Sequence, residues 1–308
     1  MTQDFDLDRY VRNSRAVDLS GVAWDQISAH PVSGAEARCL TFMMDIETHT
    51  VMYARDLLAT RAAFDPEVTA FMSCWIYEEF WHGEAFSRFL GEAGFTLAPD
   101  REKVTAASPY PTKTARNERI RRALGRSVYT GHLVSMLGSA LTRDFVAIQM
   151  TWGAMNELSA INSYQAMIER SANPVLRDIL RRVIKDERRH FAFYRAQARM
   201  RLARSARARR LARWAMQRLW APVGTGLRPQ EESDFALVWL FGDDAGLDRM
   251  RRIDATIAEL PGFAGATLAE DARRRSLERM PPSRVPELST DGALARAGVH
   301  RERREAAA

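Results

Sequence analysis

A chain of 308 residues, 46% hydrophobic and 27% charged, has ordinary globular composition and enough length for one large core with extensions. Its net charge of +6, carried almost wholly by arginine, and its sequence pI near 9.7 favour an acidic carrier protein, anionic lipid or nucleic acid as partners, although a preference for arginine codons produces the same balance. Two cysteines, Cys39 and Cys74, with no Cys-x-x-Cys spacing, exclude a disulfide scaffold and a zinc-ribbon or rubredoxin-type module, and point to reduced thiols in a cytoplasmic protein.

Good helix formers dominate and no run alternates in the manner of a strand, so the class reads as all-α. The chain starts with the acidic MTQDFDLDRY, which lacks the basic start and apolar run of a secretory signal, and residues 1–33 read as an extended or loosely helical arm. Helical periodicity begins near Ser33-Gly34 and runs to about Ala63. Asp65-Pro66 is an N-cap followed by proline at the first helical position, opening a helix expected to reach about Gly91. Residues 94–116, with Pro99, Pro109 and Pro111, read as a loop, and 117–140 as a further helix. The next helix covers 142–170 and ends near Asn173-Pro174, and another runs from 174 to beyond 200.

The composition changes after residue 199. Residues 199–219 predict a very basic helix whose apolar stripe, Met200, Ala203, Leu211, Trp214 and Ala215, is interrupted by Arg204 and Arg207. It reads either as a cap with a solvated arginine face or as a dock for an acidic acyl carrier. Two short helices, SDFALVWLFG and DRMRRIDATIAEL, complete a helical extension over 201–285, and the Arg-, Ala- and Pro-rich residues 286–308 read as a disordered tail. No stretch approaches ~18 uncharged apolar residues, so no transmembrane segment is expected.

Two helices contain Glu-x-x-His: Glu79–His82 and Glu187–His190. Residues three apart share a helix face and can reach one metal ion. The faces matter more than the motif. Val68, Met72, Trp75, Glu79, His82, Phe86 and Phe89 fall on one stripe, and Leu176, Ile179, Val183, Glu187, His190, Phe191 and Tyr194 on another. In both, Glu and His interrupt the apolar stripe, where an unpaired carboxylate is costly. The other two helices carry the anomaly once each, as Glu47 between Met44 and Val51 and Glu157 between Ala154 and Ile161. A lone Glu on such a face is usually a salt-bridge or interface residue, and a lone His a satisfied core position. Six positions on four faces, in the order Glu, Glu-x-x-His, Glu, Glu-x-x-His, match ferritin-like carboxylate proteins instead.

The expected fold is therefore all-α, a ferritin-like four-helix bundle over 34–200 with an additional helix in its long central crossover and a C-terminal helical extension. Four carboxylates balance two divalent ions, and oxygen-rich ligation with one imidazole per metal suits iron or manganese. The expected cofactor is two Fe ions, with a manganese–iron pair compatible with the same ligands.

Other titratable groups compete. Asp45 shares a face with Arg38, His49 and Asp56 and reads as solvated. Glu78 and Asp186 each precede a ligand by about 100° around the helix. Surface charge is one reading; orienting the opposite histidine through its other ring nitrogen is the second, favoured more for Asp186. Glu84 and Glu169 read as surface residues, and His30, His49, His132 and His300 as structural or exposed.

The segment Trp75-Ile76-Tyr77-Glu78-Glu79-Phe80-Trp81-His82-Gly83 resembles the W-x-x-E-E-x-x-H-G segment of soluble acyl-carrier-protein desaturases, and Asp186-Glu187-Arg188-Arg189-His190 resembles their D-E-K-R-H segment. The resemblance spans roughly residues 36–200. It implies that Glu47, Glu79, His82, Glu157, Glu187 and His190 form an iron shell, with Trp75 packed beneath it as a core aromatic or joined to an electron path. It also departs from the pattern. Where that family carries a threonine one turn after the third-helix Glu, this chain has Ala160, with Ser159 pointing elsewhere, and the interval from Glu79 to Glu157 is longer.

The expected activity is dioxygen activation by a di-iron oxidoreductase, with O2 as co-substrate and an organic or acyl substrate, carried in one version on an acidic carrier protein. Desaturation, hydroxylation and N-oxygenation are all compatible. Gly153, Ala154, Tyr164 and Phe86 are candidates for a substrate channel, with core packing as the plainer alternative. No flavin, nicotinamide or Fe–S motif occurs, so electrons would come from an external donor such as a ferredoxin. No specific nucleic acid is implied, and a monomer or homodimer is expected. One rival is ferritin-like iron oxidation or peroxide scavenging; another is a non-catalytic lipid or carrier-protein binder using the 199–219 helix.

Overall fold

The computed structural model describes residues 5–98, 136–225 and 227–302, with the side chains of residues 51, 52 and 54–56 outside that description. The protein is overwhelmingly helical. Four long helices form its centre: α2 (Gly34–Leu58), α3 (Pro66–Glu92), α4 (Phe145–Arg170) and α5 (Pro174–Arg204). They pack as two hairpins, α2 with α3 and α4 with α5, joined where α3 meets α5.

Caps set their starts. Ser33 and Glu36 form a reciprocal capping box: Ser33 N–H donates to Glu36 Oε2 at 2.9 Å and Glu36 N–H to Ser33 Oγ at 3.2 Å. The Asp65 carboxylate accepts the N–H groups of Glu67 and Val68, with Pro66 at the first position, as the sequence predicts. Asn173 caps α5 by accepting from Val175 and Leu176. Its amide also donates to the carbonyls of Ile27 and His30, which ties the N-terminal arm to the bundle.

That arm is structured. It contains α1 (Leu7–Asn13), capped by Asp6 and packed on α3, and a 3-10 turn over Trp24–Ala29 against α3 and α5. Tyr10, Val17, Val22, Ile27 and Val32 are buried.

The C-terminal extension covers the opposite side. The expected 199–219 helix is broken at Ser205, whose hydroxyl caps α6 (Ala206–Leu219) by accepting from Ala208 N–H. The break resets the helical phase. The buried face is Ala208, Ala212, Ala215 and Met216, of which the predicted stripe contained only Ala215, and Trp214 is 53% exposed. Then α7 (Gln230–Phe241) packs on α2 and α4, α8 (Asp244–Ala258) on α4, and α9 (Leu268–Arg279) on both α7 and α8.

The expected disordered tail is ordered as far as residue 302. It forms α10 (Val285–Leu288), α11 (Asp291–Arg296) and β2 (Val299–Arg301), which pairs antiparallel with β1 (Phe95–Leu97). Leu288, Ala293, Leu294 and Val299 are buried in it, and Arg38 of α2 donates to the Leu288 carbonyl at 2.6 Å. Four apolar contacts spaced among polar residues suffice to dock a short segment that composition alone reads as unstructured. The expected helix at 117–140 lies outside the described residues except for helical residues 136–140. No helix among the described residues is long and apolar enough to cross a membrane.

Asn173→Ala removes two cap bonds and the tether to the arm. We expect a loss of about 1–2 kcal/mol, read as a lowered denaturant midpoint of the metal-free protein with an unchanged slope.

Candidate metal centre

The four long helices each turn acidic or imidazole side chains onto one point of the core. α2 supplies Glu47, α3 supplies Glu79 and His82, α4 supplies Glu157, and α5 supplies Glu187 and His190. None of the six is more than 5% exposed. Close helix approach makes this possible. A Cβ on Gly83 would lie 2.6 Å from Thr48 Cγ2, so α2 and α3 touch beside Glu47; one on Gly153 would lie 2.2 Å from the Tyr194 ring.

The side chains form two overlapping groups. Glu47, Glu79, His82 and Glu187 make one, and Glu79, Glu157, Glu187 and His190 the other, with donor atoms within 4.8 Å of one another in each. Glu79 and Glu187 belong to both. His82 Nδ1 lies 3.2 Å from Glu187 and 3.6 Å from Glu79; His190 Nδ1 lies 3.4 Å and 3.0 Å from the same two carboxylates. The imidazole centroids are 5.9 Å apart.

Both Nδ1 atoms and both oxygens of Glu187 are buried without a hydrogen bond. Such atoms are rare in native interiors and costly unless a cation satisfies them. Four carboxylates, two inward lone pairs and orphaned donor atoms aimed into one space fit metal ions well.

The surroundings hold this arrangement. His82 Nε2 lies 3.2 Å from Asp186 Oδ2, and His190 Nε2 lies 2.7 Å from Glu78 Oε2. These contacts direct Nε2–H outward and leave Nδ1 for the centre. Arg189 bridges the two outer carboxylates, donating to Glu78 at 3.0 Å and Asp186 at 2.6 Å. Trp75 Nε1–H donates to Glu157 Oε1 at 3.1 Å, and the Tyr164 hydroxyl donates to Glu47. Tyr10, from the N-terminal arm, donates to Glu78 Oε2 at 2.8 Å.

Thus the six predicted ligands converge, and Glu78, Asp186 and Trp75 touch them. Glu78, the less favoured of the two outer acids, is the more deeply buried and has the shorter histidine contact. Asp45 is not solvated as expected: it is buried 3.1 Å from Arg228. Arg38 on the same face is also buried, bonded to Glu232. Both partners come from the extension folded over α2, which the periodicity of α2 alone cannot reveal. Glu84 and His300 are exposed, Glu169 pairs with Arg249 on the surface, and His30 and His49 are half-buried. His132 lies outside the described residues. Of the channel candidates, Gly153 is filled by the Tyr194 ring, Ala154 is buried, and Phe86 packs edge-on against Tyr164 at 5.6 Å. Ser159 bonds its own helix through the Met155 carbonyl, and Ala160 brings no hydroxyl.

Tyr10 and Arg189 were not anticipated, nor was the bond from Tyr164 to Glu47. The arm offered one signal for Tyr10: an Asp6 cap followed by Leu7 and Tyr10 at helical spacing. Nothing in the sequence named its partner.

Without metal, burial and the facing carboxylates push Glu47 and Glu157 well above the ordinary carboxylate range. Burial opposes ionisation of Glu79 too, but the close approach of Glu47, His190 and His82 holds it well below that range. Burial disfavours charged imidazoles, yet the carboxylates around His82, led by Asp186, and the groups around His190, led by Tyr10, push both well above their usual value. Glu47, Glu157 and both histidines of the metal-free cluster therefore bind protons more tightly than free side chains do.

No protein-family profile, curated protein or solved structure matches the chain. Its fold and site define an all-α protein with a buried carboxylate–imidazole cluster able to hold metal.

These raised proton affinities set two opposite pH dependences. Divalent cations must displace protons, so affinity falls with falling pH, and calorimetry in buffers of different ionisation enthalpy should show net proton release. The metal-free fold should instead lose stability as pH rises. Above 4.5 the unfolded chain gives up protons that native Glu47 and Glu157 keep. The histidines contribute stability present below 6.5 and lost as pH climbs through their raised values. Thermal melts of chelated protein from pH 5 to 8 check the sign.

Proposed function

We propose that this chain is a ferritin-like four-helix-bundle protein holding two iron ions, and that it is a dioxygen-activating oxidoreductase acting on an organic substrate. The observation carrying this reading is the pair of overlapping ligand groups that share Glu79 and Glu187. One metal would be held by Glu47, Glu79, His82 and Glu187, the other by Glu79, Glu157, Glu187 and His190. The donor set is carboxylate-rich with one imidazole per group, which suits iron or a manganese–iron pair over zinc or copper. Bound iron would supply redox chemistry with dioxygen.

The protein's own part is orientation, charge balance and exclusion of water. Asp186 and Glu78 fix the imidazole rings; Trp75 and Tyr164 each hold one oxygen of Glu157 and Glu47. Those two carboxylates belong to one group each, and a single neutral donor leaves their remaining oxygens free to coordinate. Phe71, Met72, Phe86, Phe193 and Tyr194, all buried, wall the cluster from solvent. A dry wall strengthens every electrostatic contact inside it. The hydroxyl that reaches a ligand from α4 is that of Tyr164, and Ala160 leaves the position one turn after Glu157 without one. Desaturation, hydroxylation and N-oxygenation all remain within this proposal, with reducing equivalents from an external donor.

Iron oxidation for storage would use the same ligands. It differs in assembly, because storage needs a large hollow oligomer.

Anaerobic loading of purified protein with Fe²⁺ should give about two irons per chain, and mixing with O2 should consume oxygen and oxidise the iron. Glu187→Ala, which removes a residue common to both groups, should abolish stoichiometric loading. Failure of the intact protein to bind iron would sink the reading. Light scattering showing a monomer or dimer supports the oxidoreductase, and a hollow multimer the storage protein.

A further inference from the structure

The two ligand groups are near mirror images inside but not outside. Each has one private carboxylate with one neutral donor: Trp75 on Glu157, Tyr164 on Glu47. Each shares Glu79 and Glu187. What differs is the carboxylate behind each histidine.

Behind His190, Glu78 is wholly buried. Its Oε2 accepts from His190 Nε2 at 2.7 Å and from Tyr10 at 2.8 Å, while Oε1 accepts from Arg189 at 3.0 Å. Tyr10 is itself fixed: its ring lies 5.2 Å from Phe71, and Phe5 packs against both Tyr10 and Phe193. Behind His82, Asp186 has a side chain 15% exposed and a longer contact of 3.2 Å. Among the described residues its hydrogen-bond donors are His82 and Arg189, with no counterpart of Tyr10.

A wholly buried outer carboxylate with three donors makes a histidine a stronger and better-oriented ligand than a partly exposed one with two donors does. We infer that the metal positions are unequal: the group containing Glu157 and His190 binds first and tightly, the group containing Glu47 and His82 second and loosely, and Tyr10 is the positioning residue that creates the difference. The N-terminal helix thereby belongs to the metal centre, clamping Glu78 against His190. The inference rests on the proposed metal centre, and loss of one can be told from loss of the other.

The test is titration of chelated full-length protein with Co²⁺, followed by calorimetry and visible absorption. Two steps are expected. Glu157→Gln should remove the tighter and Glu47→Gln the weaker. Tyr10→Phe should weaken the tighter step by about tenfold and leave the weaker one within about twofold, whereas Asp186→Asn should weaken only the second. Glu78→Gln, which retains the side-chain shape, should repeat the effect of Tyr10→Phe if that variant folds poorly; melts of the metal-free variants identify such a case. Equal affinities in the unaltered protein, or equal weakening of both steps by Tyr10→Phe and by Glu78→Gln, would overturn the asymmetry while leaving the metal centre intact. Absence of any binding by the unaltered protein would remove both.

Discussion

The centre of this protein gathers four carboxylates and two imidazoles in a core that also buries Phe71, Met72, Phe86 and Phe193. Like charges at such separation repel strongly in a low-dielectric core. Without metal, this crowding raises the proton affinity of Glu47, Glu157 and both histidines. Divalent cations would answer the same problem more completely, because they would also satisfy the orphaned atoms of Glu187 and both Nδ1 atoms. The rest of the molecule keeps this repulsive set together.

The packing around it follows from that demand. α2 and α3 approach closely at Gly83, and Tyr194 fills the space that a side chain at Gly153 would take. The N-terminal arm closes the α3–α5 side and carries Tyr10 to Glu78. The extension from α6 to α9 closes the side formed by α2 and α4, and its Arg228 and Glu232 meet the buried Asp45 and Arg38. Segments at both ends of the chain thus act as walls, one of them bonded directly into the hydrogen-bond network of the histidines.

Arg189 has a particular place in that network. Lying between Glu187 and His190 in sequence, it bridges the carboxylates behind both histidines. One guanidinium, with its five donors in a fixed plane, can hold two acids in register where an ammonium could not do so as rigidly. The histidines they bond, and after them this arginine, hold both outer carboxylates below their ordinary range despite burial.

Helices α2 to α5, the cap at Asp65, the helix boundary at Asn173-Pro174, and the convergence of Glu47, Glu79, His82, Glu157, Glu187 and His190 could all be read from residue order. Each is a local or periodic property: a cap bonds its own first turn, and a Glu inside an apolar stripe stays on that face however the helix packs. The partners of those faces could not be read in the same way. Tyr10 to Glu78, Arg228 to Asp45, the Ser205 phase break and the ordering of 285–302 against β1 and α2 join residues far apart in the chain or depend on one bond resetting a helix. Periodicity sees one helix at a time. Which side of it meets solvent, and which distant hydroxyl or guanidinium completes its charges, is set only when the arm and the extension close over the bundle.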